Sequence, residues 1–108
     1  MKYFRLKKRK DIAKILKTGK RAYGGTLTVA YLPCDRLKMA VCVGKKYGKS
    51  VQRNRIKRLL REAFRAQTQD LVKGYSFLLI PKVAQTYSFA AFGRDIGKIL
   101  KREKLIET

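Results

Sequence analysis

The chain contains no histidine. That removes the commonest general base and the commonest metal ligand. Cysteine is scarce: Cys34 and Cys42 are too few for the usual four-ligand zinc site. They flank a predicted turn, so a disulfide is geometrically conceivable, but a reducing cytosol keeps such pairs as thiols. Cys42 then reads as a small buried hydrophobe on a strand. Acids are sparse too, 7 against 28 Lys and Arg. Each acid stands alone in sequence, whereas a metal-dependent protein nuclease needs carboxylates converging on ions about 4 Å apart. A Ser or Cys nucleophile would lack a His partner, and nothing marks out a Lys base. No apolar run approaches the roughly 20 residues that span a bilayer. Met1 to Lys8 lacks the apolar stretch of a secretory signal. These absences predict a cytosolic protein with no catalytic constellation, no metal or cofactor on its own side chains, and no membrane-spanning segment.

What is present is positive charge. The formal net charge is +21 over 108 residues, which suits one domain spanning 1–108. Such a charge repels itself and is easiest to reconcile with a polyanionic companion. RNA, DNA and anionic membrane are the candidates. The hydrophobic fraction of 45% is enough to build a core, so wholesale disorder is disfavoured. The charge is clustered. Lys45 to Arg65 holds nine basic residues and one acid, Glu62, and Lys2 to Arg21 holds ten and one acid, Asp11.

Hydrophobic spacing places the elements. A first helix is predicted from Asp11 to about Lys17, with Ile12, Ile15 and Leu16 on one face and Gly19 past its end. Asp11 can cap it or favour its dipole. Gly24-Gly25 breaks the chain before a strand over Thr26–Leu32. Pro33 to Arg36 reads as a turn, and Leu37–Val43 as a second strand. These two strands are expected to pair as an antiparallel hairpin. A basic loop, Gly44 to Ser50, leads into the clearest helix, with Ser50 as its expected cap. There Ile56, Leu59, Leu60, Ala63 and Phe64 form one apolar stripe. Tyr75 to Ile80 is a nearly continuous apolar run that suits a central strand, closed by Pro81. A last helix is predicted over Ser88–Arg102, with Phe89, Phe92, Ile96 and Leu100 on one stripe. Gly93 and Gly97 weaken it by about 1 kcal/mol each, or allow close approach of a neighbour. The order is α-β-β-(β)-α-β-α, an α/β two-layer sandwich.

The basic loop lacks the spacing of a nucleotide-hydrolysing P-loop, yet a Gly-containing basic loop before a helix N-terminus can cradle phosphate. The helix after it is more specific. At about 100° per residue, Asn54, Lys57, Arg58, Arg61 and Arg65 gather opposite the apolar stripe, with Arg53 at its edge. Arginine's planar fork suits phosphate oxygens, and Asn can donate and accept at a sugar or base edge. The bland alternative is a solvated helix face.

On these residues the chain resembles the protein subunit of bacterial ribonuclease P. The pattern is Lys45-Lys46-x-Gly48-x-x-Val51-x-Arg53-Asn54-Arg55-x-Lys57-Arg58-x-x-Arg61-Glu62-x-Phe64. The resemblance extends to Arg5-Leu6-Lys7-Lys8, Asp11, Ile12 and Gly19, and to the late strand and helix. It implies an α/β sandwich with a left-handed β-α-β crossover. It also implies a monomeric subunit that binds a catalytic RNA and the 5′ leader of precursor tRNA. The RNA, with magnesium, would perform the hydrolysis.

By the same resemblance Arg53, Asn54, Arg55, Lys57, Arg58 and Arg61 would contact the catalytic RNA, assisted by Lys45, Lys46 and Lys49; Arg65 joins them as an RNA-binding candidate from its place on the same helix face. A cleft between the first helix and the sheet would hold the leader. Positions there that are often aromatic in the family are Ile12, Leu16 and Ala30 in this chain, with Tyr31 adjacent. Ile12 and Leu16 are either leader contacts or core. Lys14, Lys17, Lys20 and Tyr31 complete the candidate cleft. The rival readings are a ribosomal or general structural RNA-binding protein and a duplex-DNA regulator.

Overall fold

A computed structural model of the chain describes residues 4–6, 8–68 and 74–105. Five strands and three helices alternate along it. They are β1 (Phe4–Arg5), α1 (Arg9–Thr18), β2 (Lys20–Tyr23), β3 (Leu27–Pro33), β4 (Lys38–Val41), α2 (Ser50–Gln67), β5 (Tyr75–Pro81) and α3 (Phe89–Arg102). A single 3₁₀ turn, Lys45–Tyr47, interrupts the basic loop before α2. The three helices and the late strand lie where hydrophobic spacing puts them, and the α/β sandwich is the fold observed.

Strand pairing departs from expectation. The sheet order is β1-β4-β5-β3-β2. The predicted hairpin between β3 and β4 does not form, because β5 lies between them, antiparallel to β3 and parallel to β4. The reason is the composition of β5. Ser76, Phe77, Leu78 and Leu79 are buried in succession, so both faces of this strand require cover. Only a central position supplies that. The actual hairpin joins β2 to β3 through Gly24-Gly25. β2 reads Lys-Arg-Ala-Tyr, and with only Ala22 buried it carries no strand signal in sequence. The unit β4-α2-β5 is a parallel crossover.

The two faces of the sheet are covered unequally. On one, Val29, Tyr31, Met39, Phe77 and Leu79 join Ile56, Leu60 and Phe64 of α2 and Phe92, Ile96 and Ile99 of α3. Phe64 meets Phe77 edge-on, with ring centroids 5.3 Å apart. On the other, Ile15 of α1 packs with Leu6, Ala30 and Leu78 in a much smaller cluster.

Helix ends differ from the predicted caps in two places. Lys49, not Ser50, caps α2: its N–H donates to Gln52 Oε1 at 2.9 Å, while Ser50 Oγ accepts from Arg53 Nη2 at 3.2 Å. Lys8 precedes α1, so Asp11 sits in its first turn and favours the dipole without capping. Ser88 caps α3, its Oγ accepting from Ala91 N–H at 3.1 Å. Phe89 leaves the predicted stripe and is 46% exposed; Ile99 takes the buried position. Gly97 has a packing reason, since a Cβ there would sit 2.7 Å from Gln67 Oε1 of α2.

Asp95 tethers the β2–β3 hairpin to α3. Both the N–H and the hydroxyl of Thr26 donate to Asp95 Oδ2, at 2.8 and 2.6 Å. Burial alone would raise the Asp95 carboxyl, but these bonds, with Arg94 and Lys98 nearby, hold it below its ordinary value. Asp95→Ala should therefore cost about 1–3 kcal/mol at neutral pH, because two buried donors lose their acceptor. A depressed carboxylate contributes fully above its unfolded value of about 3.9 and loses that contribution as pH falls through the folded value. Denaturant titrations of both proteins should show the gap closing below about pH 4. A gap that persists into strong acid would show that charge has no part in the tether.

Candidate nucleic-acid interface

The apolar stripe of α2 orients its cations. With Ile56, Leu60, Ala63 and Phe64 turned inward, Asn54, Arg55, Arg58 and Arg65 are exposed, and Lys57 and Arg61 are half-buried at the margin. Arg58 reaches Glu62 at 3.9 Å, but both side chains are largely in solvent, so the pair restrains the guanidinium little. Arg53 is different. It is half-buried, and its Nη2 bonds Ser50 in the first turn. It braces the start of the helix as well as adding charge.

The basic loop is held in place. Tyr47 is buried, and its hydroxyl donates to the Pro81 carbonyl at the end of β5. Lys46 Nζ lies 5.3 Å from the Tyr47 ring centroid, within cation–π range. Gly48 has φ +118, a conformation that side chains rarely adopt. Lys45, Lys46 and Lys49 are all exposed beside the start of α2. At the β1–β4 edge, Lys57 and Arg61 share a groove with Arg5, Leu6, Ile12 and Ala40. Arg5 therefore joins the cationic set. Its sequence gives no notice of this, because β1 is only two residues long.

The α1 face forms the second part of the site. α1 crosses the sheet with Ile12 near Ala40 at one end. At the other, the Leu16 carbonyl accepts from Arg21 Nη2 at 2.9 Å. Ile15 is the core residue of the helix. Ile12 is half-buried against the same cluster and still lines the edge groove, while Leu16 is exposed. Lys14 and Lys17 are exposed.

Tyr31 and Lys20 do not belong to this cleft. Tyr31 is 5% exposed and packs in the larger core on the opposite face, its hydroxyl bonded to Glu103 at 2.5 Å. Burial, then that bond, pushes its phenol well above the ordinary value. Lys20 is paired with Tyr31 and so shares its face. The physical reason is the period of two: with Ala30 on α1, Tyr31 must point the other way.

The cleft has an aromatic residue of its own. Tyr23 pairs with Thr28, and Thr28 with Ile80, so the three share the α1 face in one transverse row. Cys42, whose N–H bonds the Leu79 carbonyl, continues the row beside Ile80. Tyr23 is 64% exposed at its outer end. The only sequence signal for Tyr23 was its place before Gly24-Gly25, which is informative once β2 is known. Cys34 and Cys42 are both free thiols. Cys42 is half-buried, not fully so, and burial pushes its thiol up.

Three of the acids among the described residues already have partners. Asp95 serves Thr26, Glu62 faces Arg58, and Glu103 takes the Tyr31 hydroxyl. Among the described residues no three His, Cys, Asp or Glu side chains converge.

Comparison with known proteins identifies the family. Residues 1–104 match the family model described as Ribonuclease P. A ribonuclease P protein component from Caldanaerobacter subterraneus is 34% identical over 98% of this chain and 94% of its own. One from Thermus oshimai is 35% identical over 85% of this chain, which spans only 60% of that longer relative. Among solved structures, the Staphylococcus aureus RNase P protein superposes with a TM-score of 0.82 at 25% identity, covering 98% of this chain and 100% of that one. The Thermotoga maritima protein gives 0.79 at 29% identity, covering 96% and 98%. The chain therefore belongs to the ribonuclease P protein family.

Proposed function

We propose that this chain is the RNA-binding subunit of ribonuclease P. It holds the catalytic RNA on the outer face of α2 and the basic loop, and the 5′ leader of precursor tRNA in the α1 cleft. The observation that supports this best is the division of α2 into an apolar floor and a cationic roof. Chemistry belongs to the RNA partner and its magnesium. The chain's residues supply charge and position: arginines neutralise phosphates, and the cleft fixes the leader near the scissile bond. Tyr23 offers a stacking surface for a leader base at the end of its row, while Ile12 and Leu16 offer apolar contact and Lys14 and Lys17 charge. One copy acts as a monomer on its RNA. No helix among the described residues is long and apolar enough to cross a membrane. The proposed partners are cytosolic RNAs, so the particle works there.

A cleavage assay on precursor tRNA tests the division of labour. Protein with catalytic RNA should release the leader, and protein alone should not. Leader release by RNA-free protein would contradict the proposal. Arg55→Ala and Arg58→Ala should each weaken catalytic-RNA binding and flatten its log–log salt slope by about 0.7–0.9, with the fold intact. Unfolding of both variants would instead make those side chains structural. Tyr23→Ala should cost about 1–3 kcal/mol in binding precursor tRNA. Mature tRNA, which lacks a leader, should bind this variant unchanged; an equal loss for both would remove Tyr23 from leader contact.

A further inference from the structure

The α3 flank at the β2 edge carries a cationic strip that the proposed function does not use. Arg94, Lys98 and Arg102 follow one another at intervals of four residues, and all three are exposed. Each step advances about 6 Å along the helix and turns only about 40°, so the strip stays on one flank. The contacts of α3 identify that flank. Gly93 and Gly97 face Gln67 of α2. Asp95 and Arg102 face the hairpin, with Arg102 Nη2 donating to the Tyr23 carbonyl at 3.0 Å. The strip thus borders the Gly24-Gly25 turn, and the two together line an open groove.

We propose that this groove is a second RNA-backbone contact, taking the phosphates of a strand separate from the one held by α2. The inference rests on the proposed function. Three observations carry it. First, the acid that lines the groove, Asp95, is 8% exposed and accepts from both Thr26 donors, and its single charge is set against both Arg94 and Lys98, while Arg102 lies 3.8 Å from Glu103. Arg94 and Lys98 form no ion pair or side-chain hydrogen bond among the described residues. Second, the Gly24-Gly25 turn forms one wall of the groove, and the Asp95 tether holds it still. Third, the strip is remote from two of the α2 cations, Lys57 and Arg61. Lys57 and Arg61 lie at the β1–β4 edge, and β2 is the opposite edge of the sheet. Four strand spacings of about 4.8 Å separate those edges by about 19 Å.

The test is a salt titration of binding to the catalytic RNA, alone and loaded with precursor tRNA. It compares the parent chain, R94Q/K98Q, the charge-conserving R94K/K98R, and Arg58→Ala. R94Q/K98Q should weaken binding to at least one of the two RNAs and flatten its log–log slope by about 1.4–1.8. R94K/K98R should retain the parent slope and affinity. Combining R94Q/K98Q with Arg58→Ala should give additive losses, as expected of separate contacts. If Arg58→Ala loses binding while R94Q/K98Q matches the parent on both RNAs, the second contact is refuted and the proposed function stands. If the parent chain binds neither RNA, both fall. A loss in R94K/K98R equal to that in R94Q/K98Q would assign the effect to packing and overturn the inference.

Discussion

The burial of Ile56, Leu60, Ala63 and Phe64 against Met39, Phe77 and Leu79 is the interaction on which the rest of the molecule depends. It anchors a helix whose other side carries an array of like charges. Those charges repel, and no acid array on the chain offsets them: 7 acids face 28 bases. Each fully buried Leu or Phe contributes about 1.5–3 kcal/mol, so a few such residues sustain a face that is destabilising on its own. The unfavourable charge becomes useful when phosphate arrives, because binding relieves the repulsion and releases counterions.

The unequal covering of the sheet follows from the same division. Two helices close one face over a large core, and cations are left on their outer sides. The other face receives only α1, so one row of the sheet stays partly open beside it. Tyr23, Thr28, Ile80 and Cys42 form that row. A strand with both faces filled could not offer a cleft. The tether from Asp95 to Thr26 and the bond from Tyr47 to Pro81 fix the hairpin and the basic loop to the closed half. Functional loops are thereby positioned by the core and not by their own sequence.

The helices were legible because their apolar residues recur at i, i+3 and i+4, and the signature of α2 was legible because its cations fall on the complementary face. β5 was legible as a central strand from its unbroken apolar run. Its neighbours were not, because sequence order favours pairing β3 with β4, while burial of β5 on both sides forces it between them. β1 and β2 escaped notice for a local reason: two residues and four, mostly charged, carry no period. That miss spread to the cleft. Without β2 there was no register to put Tyr23 on the α1 face or Lys20 on the other, and Tyr31 was assigned by adjacency when alternation sends it inward.

On the proposed function, this chain acts by neutralising phosphate with side chains that the core holds outward. The most direct measurement is the affinity of the full chain for the catalytic RNA as a function of salt. At about 0.7 per phosphate contact, six α2 contacts predict a log–log slope steeper than about −4. A slope near zero, with tight binding that survives high salt, would contradict the account.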